Sequence, residues 1–162
     1  MIIGSTGRLT KEKGYSCLLR AFEQLLYHSY DKPLKLRIAG SGELLGELER
    51  QAALLGIENN VEFLGYVDDI PSFLSTLDIY VQPSLTEGRC LSVVEARAAG
   101  LPIVASRVGG ISETVDDGLN GVLVPPGDSE ALSGALQTLV DDHWLRGKLA
   151  ATGLRMARAE EA

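Results

Sequence analysis

Six short apolar runs punctuate the chain, with helical patterning between them, and this alternation constrains the fold more than any other feature. The runs are "MIIGS", "LKLRIAG", "NVEFLG", "DIYVQ", "PIVAS" and "GVLVP". Short apolar segments bounded by glycine, proline, asparagine or aspartate read as buried strands. After the first, Tyr15, Leu18, Leu19, Phe22, Leu25 and Leu26 recur with the spacing of a helix packed on one side. Leu44, Leu45, Leu48, Ala52 and Leu55 mark a second helix, and a short helical stretch falls near "IPSFLST". A helix from about Leu91 to Ala99 stops at Gly100 and Pro102. Asp128 caps a helix whose inner face is Leu132, Ala135, Leu136 and Leu139. "GLRMARAEEA" is helical in composition and shows no obvious core stripe.

Strands alternating with helices predict an α/β fold: a Rossmann-like three-layer αβα domain with a parallel sheet of about six strands. A chain of 162 residues fits a single domain spanning 1–162. In such sheets ligands bind beyond the carboxyl ends of the strands. That rule selects five loops: Gly4 to Gly14, Gly40 to Leu45, Leu64 to Asp69, Pro83 to Leu91, and Ser106 to Ser112.

The loop "TEGRCLSVVEA" holds Glu87 and Glu95, eight positions apart. Pro83 and Gly88 place Glu87 in a loop, whereas Glu95 falls in the first turn or two of the following helix. Free peptide N–H groups near Gly88 to Ser92 suit an anion at the helix N-terminus. Two carboxylates flanking that anion suit the hydroxyls of a phosphorylated, polyhydroxylated ligand. The spacing equally fits a glutamate at a helix dipole and a solvated one on a helix face. In "GRLTKEKG", Arg8 and Lys13 offer a fork and a point charge to a diphosphate, or stand as ordinary surface cations.

Other patterns narrow the chemistry. "IAGSGELLG" departs from GxGxxG by one spacing and follows the second strand, so NAD is not expected. "VGGISE" permits close backbone approach to a ligand at Gly109 and Gly110, whereas "DDGLNG" reads as a turn. His28 and His143 lack metal-ligand spacing, and no catalytic metal is expected. Cys17 and Cys90 form no CxxC pair, which fits reduced thiols and a cytoplasmic location. With 22 acidic against 15 basic residues, a net charge of −7, nucleic acid is not an expected partner. "MIIGSTGR" shows no basic region leading into an apolar core, and no run reaches the roughly 20 residues of a membrane span.

Read together, "GRLTKEKGYSCLLRAF", "LKLRIAGSGELLGELE", "NVEFLGYVDDIPSFLSTLDIYVQPSLTEG" and "LSVVEARAAGLPIVASRVGGISETVDDGLNGVLVPPGDSEAL" resemble a known family. It is the C-terminal, nucleotide-sugar-binding domain of family-4-type retaining glycosyltransferases of the GT-B fold. The resemblance covers roughly residues 4 to 140. It implies that Glu87 lies beside the donor sugar and that Glu95 accepts from the nucleoside ribose. It implies that Arg8 and Lys13 hold the diphosphate and stabilise leaving-group charge. Cys90 and Leu91 match the stretch whose backbone N–H groups approach sugar and phosphate, and Val67 matches a backbone contact to the base.

The implied reaction is metal-independent transfer from a UDP-, GDP- or ADP-sugar, with retention and without a cofactor. The acceptor would be a glycan, lipid or small molecule. An N-terminal acceptor domain belongs to such enzymes and is not in this chain, and their closing helical segment is expected to be missing or truncated. The isolated piece is expected to bind nucleotide weakly, to transfer no sugar alone, and in the full protein to lie peripherally at a membrane. Two departures stand out. Arg89 and Cys90 replace the usual aromatic and small residue, which sets the Cys90 side chain where backbone approaches sugar. Ser112 replaces a usual proline. The alternatives are a non-catalytic nucleotide-binding or interaction module of the same fold and a sugar-nucleotide epimerase half.

Overall fold

The computed structural model describes residues 1–161; Ala162, the last residue of the expected domain, lies outside the described residues. Six strands form one sheet: β1 (Ile2–Thr6), β2 (Lys35–Ala39), β3 (Val61–Gly65), β4 (Ile79–Gln82), β5 (Ile103–Ser106) and β6 (Val122–Val124). Their order is β3-β2-β1-β4-β5-β6. Every neighbouring pair is parallel.

The helices are α1 (Tyr15–His28), α2 (Leu45–Leu54), α3 (Ile70–Leu74), α4 (Leu91–Ala98), α5 (Ile111–Thr114), α6 (Ser129–Asp141) and α7 (His143–Glu161). Each sheet face has its own core, because strand side chains alternate. Ile79, Val81 and Val104 join the buried faces of α1, α2 and α6. Tyr80, Ile103 and Ala105 pack with Phe73, Val93 and Ile111 on the opposite face. The four residues of β4 are all buried, as are those of β5. Strands covered on both sides favour apolar residues, so these segments read as apolar runs broken only at their ends by the buried Gln82 and Ser106.

The three-layer α/β architecture is the one predicted, and α6 is capped by Asp128, whose side chain accepts from the Ala131 N–H. Two elements differ from the sequence reading. The loop expected from Ser106 to Ser112 contains the start of α5, a single helical turn. The C-terminal segment does carry a core stripe, in a helix that begins at His143: Leu149, Gly153 and Ala157 are buried at four-residue spacing. Two of the three are glycine and alanine, so hydrophobic periodicity does not reveal the stripe. Small residues let α7 lie close over α4. A Cβ on Gly153 would stand 3.1 Å from Arg97 Cγ. Arg97, 4% exposed, donates to the Thr114 carbonyl at 3.3 Å and forms an ion pair with Glu160 of α7.

Candidate functional site

β1 and β4 are neighbours, yet the chain leaves β1 toward the face covered by α1 and leaves β4 toward the face covered by α4. This divergence is a topological switch point, where a crevice opens beyond the strand ends. Arg8 and Lys13 lie on the loop after β1, Lys13 closing a 3-10 turn at Lys11–Lys13. Glu87 lies on the loop after β4, and Glu95 in the second turn of α4.

Backbone-to-backbone packing fixes these loops. Gly14 has φ 73°, and a Cβ there would fall 1.9 Å from the Pro83 carbonyl oxygen. Glycine therefore joins the cation-bearing loop to the Glu87 loop, and the Leu85 N–H donates to the Glu12 carbonyl at 2.8 Å beside it. Gly109, at φ 45°, approaches Glu87 the same way: a Cβ would meet the Glu87 carbonyl oxygen at 1.8 Å. The Gly110 N–H donates to the Gly88 carbonyl at 2.9 Å. The glycine pair expected to admit a ligand thus packs against the loop that carries Glu87.

Lys13 Nζ donates to both carboxylate oxygens of Glu87, each at 3.0 Å. Ser84 Oγ donates to Glu87 Oε2 at 2.7 Å from the other side. Arg8 is exposed and pairs with no carboxylate among the described residues.

Two hollows open here. One, of about 630 Å³, is lined by Arg8, Lys13, Glu87, Gly88 and Ser92 among others. The second, of about 440 Å³, is lined by Thr6, Ser41, Tyr66, Val67 and Glu95 among others. Gly7, Arg8 and Ser92 line both, so the hollows adjoin along the loop that carries Arg8. A further hollow of about 730 Å³ flanks only the segment from Asp142 to Lys148 beside exposed Trp144. It lacks polar groups converging from separate elements, so the switch-point crevice is the candidate site.

Five of the seven expected residues therefore converge: Arg8, Lys13, Glu87, Glu95 and Val67. Cys90 and Leu91 are not among the residues that line either hollow. Cys90 precedes the first turn of α4 without a side-chain cap, so the first peptide N–H groups of the helix lack that partner. The Cys90 side chain, 4% exposed, belongs to the core with Val93 and Ile111, so it turns inward from the crevice. Burial raises its thiol above the ordinary value. Leu91 is 56% exposed, and Arg89 is also exposed.

The sequence reading left out Ser41, Tyr66, Thr86 and Ser92, all of which line the hollows. Three of them fall in loops the switch-point rule selects, but only the folded chain shows which way they face. Among the described residues, no group of three or more His, Cys, Asp or Glu side chains is placed to hold a metal.

A doubly wound sheet thus gathers two cations, Arg8 and Lys13, and two carboxylates, Glu87 and Glu95, around the crevice at its switch point. The chain belongs to the glycosyl transferases group 1 family, which matches residues 1–156. It is 33% identical to the lipopolysaccharide core biosynthesis glycosyltransferase LpsE of Rhizobium meliloti, over 94% of this chain and 43% of LpsE. Its fold superposes on Anabaena HepE in complex with UDP and glucose with a TM-score of 0.91 and 30% identity, covering 98% of this chain and 43% of HepE. Against the C-terminal domain of the group 1 protein LpcC from Francisella tularensis the TM-score is 0.90 at 30% identity, covering 99% of this chain and 85% of that domain. The chain spans less than half the length of LpsE and HepE, and the domain is similar to one half of a GT-B fold. Among the described residues, no helix is long and apolar enough to cross a membrane.

Proposed function

We propose that this chain is the C-terminal, donor-binding half of a family-4-type retaining glycosyltransferase, and that the crevice holds a nucleotide diphosphate sugar. The observation that carries this is that two adjoining hollows share Gly7, Arg8 and Ser92 as a common wall. One offers a carboxylate and a flat apolar wall, Glu95 beside Val67 and Tyr66, to a nucleoside. The other offers Lys13 and Glu87 to a sugar on its diphosphate. Anabaena HepE, with the same fold, binds UDP and glucose, which supports the ligand class.

In this reading Glu95 accepts from the ribose hydroxyls and the backbone at Val67 meets the base. Arg8 and Lys13 hold the diphosphate, and the N–H groups from Cys90 and Leu91 approach sugar and phosphate. As the glycosidic bond lengthens, the anomeric carbon gains positive charge and the diphosphate gains negative charge. Arg8, Lys13 and the α4 N-terminus are preorganised cations and dipoles for that leaving group, which supports a mechanism without a metal. Glu87 positions the sugar rather than attacking it, so rate gain comes from orientation and electrostatics. Retention follows from the resemblance at Glu87 and Glu95. The acceptor, a glycan, lipid or small molecule, would be held by an N-terminal domain, and the piece alone would not transfer sugar.

Calorimetric titration with UDP, GDP, ADP and their sugar conjugates tests the reading. One nucleotide should bind, and Glu95→Ala and Arg8→Ala should each weaken it about tenfold or more. A folded chain that binds none of them, or binds one unchanged by either substitution, sinks it.

A further inference from the structure

Behind Glu87 runs a line of buried polar side chains. The Tyr80 hydroxyl donates to Gln82 Oε1 at 2.7 Å, Gln82 Nε2 donates to Ser84 Oγ at 3.0 Å, and Ser84 Oγ donates to Glu87 Oε2 at 2.7 Å. Tyr80 and Ser84 are fully buried, and Gln82 is 1% exposed. The sense of the line is fixed from its outer end. An ionised carboxylate only accepts, so Ser84 spends its one proton on Glu87. Ser84 can then only accept from behind, and the Gln82 amide is the donor that reaches it. That turns the Gln82 carbonyl toward Tyr80, which spends its own proton there. Thr6 Oγ1, 2.9 Å from the Tyr80 hydroxyl, then donates into the start of the line. Thr6 lines the hollow that contains Glu95, so the line crosses from the nucleoside end to Glu87.

Polar side chains at buried strand ends are costly unless every group is satisfied, and an apolar set would serve a core equally well. What this set achieves is a carboxylate held in one orientation from inside the protein. The other partner of Glu87 is Lys13, and it has two claims on it. A diphosphate in the hollow attracts the same ammonium. A Glu87 anchored by Lys13 alone would lose its orientation as the ammonium turned to the phosphates.

Building on the nucleotide-sugar reading above, we propose that Ser84, itself oriented by Gln82, is a positioning residue. It keeps the Glu87 carboxylate aimed at the donor sugar when Lys13 passes to the diphosphate. Ser84 holds Oε2, which leaves Oε1 to accept from a sugar hydroxyl. Neither Ser84 nor Gln82 touches the ligand.

The readout is a ratio: affinity for the glucose or mannose conjugate divided by affinity for the bare nucleoside diphosphate of the base that binds. Wild type, Ser84→Ala, Glu87→Gln and the double variant are compared by calorimetry, with thermal unfolding to confirm folding. Ser84→Ala is expected to lower the ratio about fivefold or more while bare nucleotide changes less than twofold. In the Glu87→Gln background the same change should move the ratio less than twofold, because the residue it positions is already disabled. A packing role alone would act equally in both backgrounds, and that result overturns the proposal, as does an unchanged ratio in Ser84→Ala. If Ser84→Ala fails to fold, Gln82→Met decides by the same ratio, since it removes the donor that orients Ser84. Wild type binding a nucleotide with the ratio unmoved sinks the positioning role alone; wild type binding none sinks the nucleotide-sugar reading with it.

Discussion

Lys13 and Glu87 pair across the gap between the loops that follow β1 and β4, with the ammonium 3.0 Å from each carboxylate oxygen. Their side chains are 19% and 10% exposed, so the pair is only partly screened by water. A diphosphate entering the hollow competes with Glu87 for Lys13 and is repelled by the carboxylate. Both effects point the same way. Glu87→Gln should tighten binding of a bare nucleoside diphosphate about threefold to tenfold, whereas Lys13→Met should weaken it about tenfold or more. Calorimetry on the two variants checks this, and looser binding by Glu87→Gln would show that the pair does not compete with the ligand.

Gly109→Ala tests whether loop packing carries the site. The new methyl would sit at φ 45° and 1.8 Å from the Glu87 carbonyl oxygen, so the loop or the glycine turn must shift. The left-handed backbone alone costs a non-glycine residue about 1–3 kcal/mol. Because the side that must move carries Glu87, affinity for the sugar nucleotide should fall by about tenfold in a chain that still folds. Gly14→Ala meets Pro83 in the same way on the other side of the loop. Unchanged affinity in a folded Gly109→Ala variant would mean that the loop absorbs the methyl elsewhere.

These glycines also show where sequence reading stops. The six strands were legible because a sheet covered on both faces favours apolar runs, and α1 and α6 because their buried faces repeat with helical period. The switch-point rule located the loops, and with the family resemblance it singled out Arg8, Lys13, Glu87, Glu95 and Val67. A glycine, however, reports that something comes close without saying what. At Gly109 and Gly110 the neighbour is the Glu87–Gly88 backbone, one strand earlier in the chain. Cys90 was illegible in a similar way: its place in the motif set it beside the sugar, but the turn into α4 directs its side chain into the core. Gln82 read as the end of a strand and Ser84 as part of the following loop, since only the folded chain brings Tyr80, Gln82, Ser84 and Glu87 into one line. The α7 stripe escaped because its residues are small.

Alkaline pH offers a test of the buried tyrosines. Burial raises the Tyr15 and Tyr80 hydroxyls well above the ordinary value near 10. Below that value both are protonated in the folded and the unfolded chain, and their contribution to stability is fully present. As pH rises past it the unfolded chain ionises first, so stability falls until the folded groups also lose their protons. The slope is about 1.4 kcal/mol per pH unit for each tyrosine. Urea unfolding between about pH 8 and 11 should show this fall, and Tyr15→Phe should make it distinctly shallower. An identical slope in Tyr15→Phe would place the alkaline transition on other groups.

Arg97 and Glu160 give an asymmetric expectation. The Arg97 side chain is 5% exposed and its Nε has no hydrogen-bond partner, whereas the Glu160 side chain is 60% exposed. Burying the cation is costly, and a flexible apolar side chain can occupy the same space under α7, so Arg97→Met should leave the melting temperature unchanged or raise it. Glu160→Gln keeps the cation in place and removes its counter-charge, so it should lower the melting temperature instead. Nucleotide affinity should be unaffected in Arg97→Met, because α7 stays seated on α4 and Glu95 keeps its place. Differential scanning calorimetry on the two variants separates the cases. A melting temperature that falls for Arg97→Met and holds for Glu160→Gln would mean that the arginine stabilises through its Thr114 hydrogen bond and its stem rather than through the ion pair.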